Sequence, residues 1–209
     1  MGKRIRCFVV ERVGSSRYFL RRYSHGVGCG GTGYHNARGP VVAETQDDPT
    51  KKWLCTNPPV IEAADPRWPV KCDHCEYQFT DQDARQVFGL PLYRRPEAPE
   101  LVFPYEDAPP GALRRQDWHE EEDGSVHPGW TGTDGQSWSC KLPDGVEWSI
   151  DGRCNNCTRP NEPHHCWVRE GTAPDFNVGK GGNTCAAGAG SIATRGYHGF
   201  LRNGYLEEC

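Results

Sequence analysis

With 209 residues, a formal net charge of −4 and a sequence pI near 6.1, the chain lacks the strong basic excess of a dedicated electrostatic nucleic-acid binder. The apolar share is only 35% and mean hydropathy is −0.77; no run approaches the ~20 apolar residues of a membrane helix. The 25 Gly and 17 Pro disfavour long helices, so 7 Trp, 8 Tyr and 7 Phe carry much of the burial, and cross-links or partner contacts are expected to supplement so small a core.

The basic start Met1-Gly2-Lys3-Arg4 precedes an apolar run of only Cys7-Phe8-Val9-Val10, too short for a signal-peptide core. The expected compartment is therefore a cytoplasm. Eleven Cys cannot all pair within one chain, and without a secretory signal metal ligation is the favoured reading of C-x-x-C pairs. Disulfides stay open for a protein that matures outside a cell.

Residues 4–23 read as a β-hairpin. Ile5 to Val10 form one strand, Val13-Gly14-Ser15-Ser16 a turn, and Arg17-Tyr18-Phe19-Leu20 the return. Cys7 is expected to face a sheet core. Lys3, Arg4 and Arg6, with Arg17, Arg21 and Arg22, read as solvated faces of strands. The glycine-dense run Gly26–Gly33 lacks the Gly-Lys-Ser/Thr ending of a phosphate loop. Its freedom would instead let Cys29 or His35 reach a shared metal.

After Trp53-Leu54-Cys55 and a proline-rich passage comes Cys72-Asp73-His74-Cys75, the form of a zinc knuckle. A C-x-x-C turn aims two thiolates at one tetrahedral ion while backbone amides turn toward the sulfurs. Cys55, Cys72 and Cys75 make three ligands; Cys29, His35 or His25 would supply the fourth, and His74 points outward. Thr80-Asp81-Gln82-Asp83 resembles a helix start, with Thr80 as cap and Asp83 in a capping-box-like role. Ala84 to Phe88 would continue that helix until Gly89 and Pro91 stop it.

Residues 94–130 shift in composition toward Pro and acid and read as a linker or irregular arm. Within it Trp118-His119-Glu120 lacks the second His of a zincin helix and reads as loop. Trp138 to Ile150 reads as a second hairpin around Pro143-Asp144-Gly145, where Pro presets φ and Gly accepts a positive φ. Trp138 and Trp148 would pair across it or cap a second core.

The densest chemistry lies C-terminal to that hairpin. Cys154, Cys157, Cys166 and Cys185 form the simplest second zinc set, with His165 or His198 as substitutes. A Cys157–Cys166 or Cys166–Cys185 disulfide, or plain buried thiols, are the alternatives. No catalytic pattern is complete. A Cys/His nucleophile pair needs an adjacency that spacing cannot show, this C-terminal segment lacks the Asp-His of an HNH-type nuclease, and neither C-x-x-C carries the preceding Pro of a zinc deaminase.

Taken in order, Pro143-Asp144-Gly145 with Trp148 and Ile150-Asp151, then Asn156-Cys157-Thr158, His164-His165-Cys166-Trp167-Val168-Arg169, Thr184-Cys185-Ala186-Ala187-Gly188-Ala189-Gly190-Ser191-Ile192 and Tyr197-His198-Gly199-Phe200-Leu201 with Asn203-Gly204 resemble a group of uncharacterised proteins of tailed bacteriophages. The resemblance spans Leu142 to Tyr205, with Pro109-Pro110-Gly111-Ala112 similar too. It implies a phage product working in the host cytoplasm or on the virion, and it carries no activity and no functional residues.

The expected fold is mainly β with much irregular loop and little helix. It comprises two small cysteine-rich, zinc-ribbon-like modules, 1–93 and 131–209, about the 94–130 segment. The expected function is a non-enzymatic virion or accessory structural component, held by two structural zinc ions or by disulfides and contacting other phage proteins. A zinc-ribbon-like cytoplasmic regulator binding host protein or nucleic acid through Arg17, Arg21 and Arg22 is the second reading. A metal-dependent hydrolase or nuclease acting through His165 or His198 is the third.

Overall fold

The computed structural model describes residues 2–23, 34–46, 60–116, 128–154, 157, 165–180 and 190–209. Cys29, Cys55, Cys185 and His25 lie outside them, as do the Gly26–Gly33 run and Trp118-His119-Glu120. Among the described residues the protein is mainly β, with two short 3₁₀ turns at Tyr105–Asp107 and Pro128–Trp130 and no α-helix. The chain divides into two compact units, one of residues 1–11 with 94–209 and one of residues 12–93.

Fourteen strands are described: β1 (Arg4–Arg6), β2 (Phe8–Val9), β3 (Glu11–Tyr23), β4 (His35–Gln46), β5 (Ala84–Arg95), β6 (Ala98–Pro104), β7 (Ala112–Arg115), β8 (Trp138–Lys141), β9 (Glu147–Ser149), β10 (Val168–Glu170), β11 (Asn177–Gly179), β12 (Ile192–Ala193), β13 (His198–Arg202) and β14 (Tyr205–Glu208). They form sheets in the orders β1-β14-β13-β12, β2-β7-β8-β9, β10-β11 and β4-β3-β5-β6.

Two sequence expectations fail here, each for a physical reason. The first hairpin does not form. β1 pairs antiparallel with β14, β2 pairs parallel with β7, and β3 runs straight through Gly14-Ser15-Ser16, which pair with Gln46, Thr45 and Glu44 of β4. Tertiary pairing overrides a local turn signal that rests only on small residues. The helix at 80–88 is absent as well. Asp83 accepts the Thr80 amide at 2.6 Å, and Thr80 Oγ1 accepts the Gln82 amide at 3.3 Å, as a capping motif would. The chain then leaves as β5, where Val87, Phe88 and Pro91 suit a strand better than a helix interior. The segment expected as linker or arm carries β6 and β7, and residues 1–11 belong with the C-terminal unit rather than with an N-terminal module.

The second hairpin forms where Pro143-Asp144-Gly145 places it. Leu142 N–H donates to Val146 O at 2.8 Å, and Gly145 has φ of 83°. Its tryptophans do not pair with each other: Trp138 meets Phe176 edge-on at 5.4 Å and Trp148 meets Trp167 at 5.5 Å. The β13–β14 hairpin turns on Asn203-Gly204, with φ of 47° and 70°, the two positive values of a type I′ turn.

Cys7, Leu113, Cys140, Leu142, Ile150, Cys166, Phe176, Leu201 and Leu206 are buried together in the core of the unit of residues 1–11 and 94–209, which bears out the inward reading of Cys7. Beside them lies a buried ion network. The Arg169 side chain, 1% exposed, bonds both Asp151 oxygens through Nε at 3.0 and 3.1 Å, both Asp134 oxygens at 3.0 and 2.7 Å, and Gln136 O at 3.0 Å. Its guanidinium also lies 4.6 Å from the Phe176 ring centre. Asp151 takes a further bond from the Trp138 amide at 2.9 Å. Burial outweighs the pull of Arg169 on the Asp151 carboxyl, which sits raised to about 6, so it is ionised and paired at neutral pH.

Arg169→Met strands that carboxylate in a dry site, and a loss of about 3–5 kcal/mol in urea unfolding at pH 7 is expected, read from tryptophan fluorescence. Below pH 5 the Asp151 proton is retained and the deficit should narrow; a deficit that does not change with pH would show that lost packing, not lost charge, sets it.

Candidate metal centre

The second unit gathers His35, Cys72 and Cys75, whose ligand atoms all lie within 4.8 Å of one another. The knuckle is a small hairpin-like loop. Phe79 N–H donates to Val70 O at 2.9 Å, Lys71 bridges Gln78, and Cys72 N–H donates to Tyr77 O at 2.9 Å. Inside it the His74 amide reaches Cys72 Sγ at 3.4 Å, which favours a thiolate, and the His74 side chain is exposed, as its place in the motif implies.

Asp73 fastens the knuckle to β4. Its amide donates to Asn36 O at 3.0 Å, and its carboxylate accepts the Arg38 amide at 2.9 Å. Those bonds go to the residues one and three places after His35, and the His35 Nδ1 lies 3.2 Å from Cys75 Sγ. The approach to the knuckle is fixed by Trp68, buried edge-on against Phe19 at 4.6 Å with Nε1 donating to Glu62 O at 2.9 Å. Gly39 opposite must lack a side chain, since a Cβ there would stand 2.9 Å from both Arg67 O and Phe19 Cβ.

The His35 ring is also oriented. It stacks on Tyr77 at 4.2 Å and 11°, and Tyr77 stacks on Tyr23 at 5.4 Å and 20°. The Tyr77 hydroxyl donates to the buried Asp83 carboxylate at 3.2 Å, and burial together with that charge raises its pKa. Arg21 closes the arrangement from the same side. Its guanidinium donates to Thr80 O and lies 5.2 Å from the Phe79 ring centre, and burial with Arg85 nearby lowers its pKa.

Two thiols and an imidazole are a zinc-type donor set. An ion with bonds of about 2.0–2.3 Å holds tetrahedral donors about 3.5–3.8 Å apart, so the His35–Cys75 pair need open only a few tenths of an ångström to admit it.

The C-terminal set behaves differently. Cys157 N–H donates to Cys154 O at 3.1 Å, and Cys166 N–H donates to Gly152 O at 3.0 Å. Cys166 is buried in the core, Cys154 and Cys157 pack against it, and Arg153 Nη2 reaches Cys157 Sγ at 3.7 Å. Among the described residues these three sulfurs do not make a group as close as that of His35, Cys72 and Cys75. His165 is half-buried beside Cys166, and His198 is exposed on β13. Arg17 and Arg21 are buried rather than solvated, so of the three arginines expected on an open face only Arg22 is partly exposed. A buried thiol pair, Cys7 and Cys140, has no signal in the cysteine spacing. The hydrogen bond with Cys7, then burial, raises the Cys140 thiol far above its ordinary value, which makes it a poor ligand.

Comparison with family models, with curated proteins and with solved structures finds no match for this chain.

Removing the support under the stack tests its role. Asp83→Ala leaves the Thr80 amide and the Tyr77 hydroxyl without their acceptor, and a cost of about 1–3 kcal/mol in urea unfolding is expected. Tyr77→Phe keeps the ring and should cost less, with the His35 ring signals in NMR shifted in the first variant and near their original positions in the second.

Proposed function

We propose that the chain is a non-enzymatic bacteriophage protein, a virion or accessory structural component, whose second unit is stabilised by a zinc ion on Cys72, Cys75 and His35. The observation that carries this reading is the convergence of three soft and borderline donors from two segments that Asp73 already holds together. A metal at that point would tie the knuckle to β4 and thereby supply folding free energy. The phage context rests on the ordered C-terminal signature. Several of its residues have structural positions here: Asp151 and Arg169 form the buried ion pair, and Asn203-Gly204 form the hairpin turn.

The role of the signature residues in packing supports a structural reading over a catalytic one. His198 is exposed on a strand face, and Cys166 is buried in the core.

Native mass spectrometry of the chain purified under reducing conditions tests the metal. One zinc lost on Cys72→Ser and retained on Cys154→Ser is expected for this centre. Stripping the ion with chelator should remove about 4 kcal/mol at a thousandfold excess of metal over its Kd. Hydrogen exchange should then rise at 34–42 and 70–79 and stay slow in β13 and β14. A metal-free protein with unchanged exchange would overturn the zinc assignment, and absence from purified particles together with the lack of a stable protein partner would overturn the structural role.

A further inference from the structure

The face of β3 opposite the metal-side core carries a second constellation. Strand alternation sends Phe19 and Arg21 inward and Tyr18, Leu20 and Arg22 outward. On β4, Arg38 lies opposite Leu20 and Asn36 opposite Arg22. Gln86 and Phe88 of β5 complete the lining of a shallow groove of about 200 Å³ formed by these seven residues. The Arg38 guanidinium lies 5.1 Å from the Tyr18 ring centre, and that of Arg22 lies 4.3 Å from the Tyr34 ring centre. Phe88 is 45% exposed and Tyr34 37%.

We propose that this face of β4-β3-β5 binds single-stranded nucleic acid. Among the described residues the lining holds two arginines, two amides, two aromatic rings and a leucine, and no carboxylate. Rings offer stacking to any base, the Arg22 guanidinium offers a phosphate contact, and Asn36 and Gln86 offer hydrogen bonds to base edges. Charge complementarity favours a polyanion over a neutral partner. The groove is smaller than the ~300–1,000 Å³ that enclose a small molecule, and it is open, which suits a strand laid across it. From Tyr18 to Arg22 the strand runs about 13 Å at ~3.3 Å per residue, the length of about four stacked nucleotides at ~3.4 Å each.

Net charge does not oppose this. Residues 12–93 contain ten Lys and Arg against nine Asp and Glu, so the acidic balance of the chain resides in the rest of it. The inference stands apart from the zinc assignment, because no residue of the groove is a proposed ligand.

The test is fluorescence anisotropy of the full chain with labelled oligothymidylate and oligouridylate of about 12 nucleotides, three times the ~4-nucleotide site. The two oligomers separate DNA from RNA, and a duplex of equal length is the control. Binding is expected to weaken between about 50 and 200 mM salt with a log–log slope near −0.7, the value for the one phosphate contact of Arg22. Arg22→Ala should remove most of that slope. Phe88→Ala, at an exposed position, should raise Kd roughly 5- to 140-fold, the loss of one stacked base. Leu101→Ala, exposed on β6, should leave it unchanged, and circular dichroism of each variant checks the fold. Equal binding of duplex, no binding at the lowest salt, or a Kd indifferent to Phe88→Ala and Arg22→Ala would each overturn the proposal, the second of them leaving the face to a protein partner.

Discussion

A buried guanidinium organises the larger unit. Arg169 reaches Asp151 after β9, Asp134 and Gln136 before β8, and the Phe176 ring beside β11, so one side chain fixes segments that no single sheet joins. A chain with so few aliphatic residues has little else to do this with. Buried ion pairs contribute little net stability over an apolar replacement, but breaking one is costly, and that asymmetry makes the arrangement specific. Asp151 also receives the Trp138 amide, so the network sets where the β8–β9 hairpin meets the core.

The smaller unit uses the same device with different chemistry. Asp73 and Asp83 are each an acidic residue that accepts backbone amides and thereby places a neighbour. Asp73 carries the knuckle to β4, and Asp83 holds the Tyr77 ring on which His35 stacks. The result is a cluster of His35, Cys72 and Cys75 whose orientation is set by hydrogen bonds and ring stacking within the protein. Pre-organisation of this kind lowers the ordering cost of binding, and it explains why the aromatic residues cluster at the centre instead of in a separate core.

How much of this was legible in the sequence depends on the range of each interaction. The Pro143-Asp144-Gly145 turn and the C-x-x-C of Cys72 and Cys75 are local, and both form where the residues put them. The capping bonds of Thr80 and Asp83 are also local and also form, yet the helix they resemble does not, because pairing partners decide the conformation of the chain beyond a turn. The strand that replaces the first hairpin depends on β4, more than twenty residues further along. The placement of His35 beside Cys75 depends on two bonds of Asp73, which no spacing rule contains. Arg17 and Arg21 depart from expectation for a related reason. In a strand a charged residue's face is set by its register, and charge alone does not reveal it.

That register also accounts for how one strand can serve two purposes. β3 presents Phe19 and Arg21 to the side where Trp68 and Phe79 pack, and Tyr18, Leu20 and Arg22 to the groove. A slip of one residue would exchange the two sets, burying Arg22 where Arg21 now donates to Thr80 O and exposing Phe19. The irregularities between Arg17 and Leu20 in the pairing with β4 sit at this division and adjust the register locally. Fastening β4 to the knuckle therefore fixes more than the cluster of His35, Cys72 and Cys75. By holding Asn36 and Arg38 through Asp73 on one side, it sets the positions of the same two residues in the groove on the other, so tightening the centre should make the outer face more rigid.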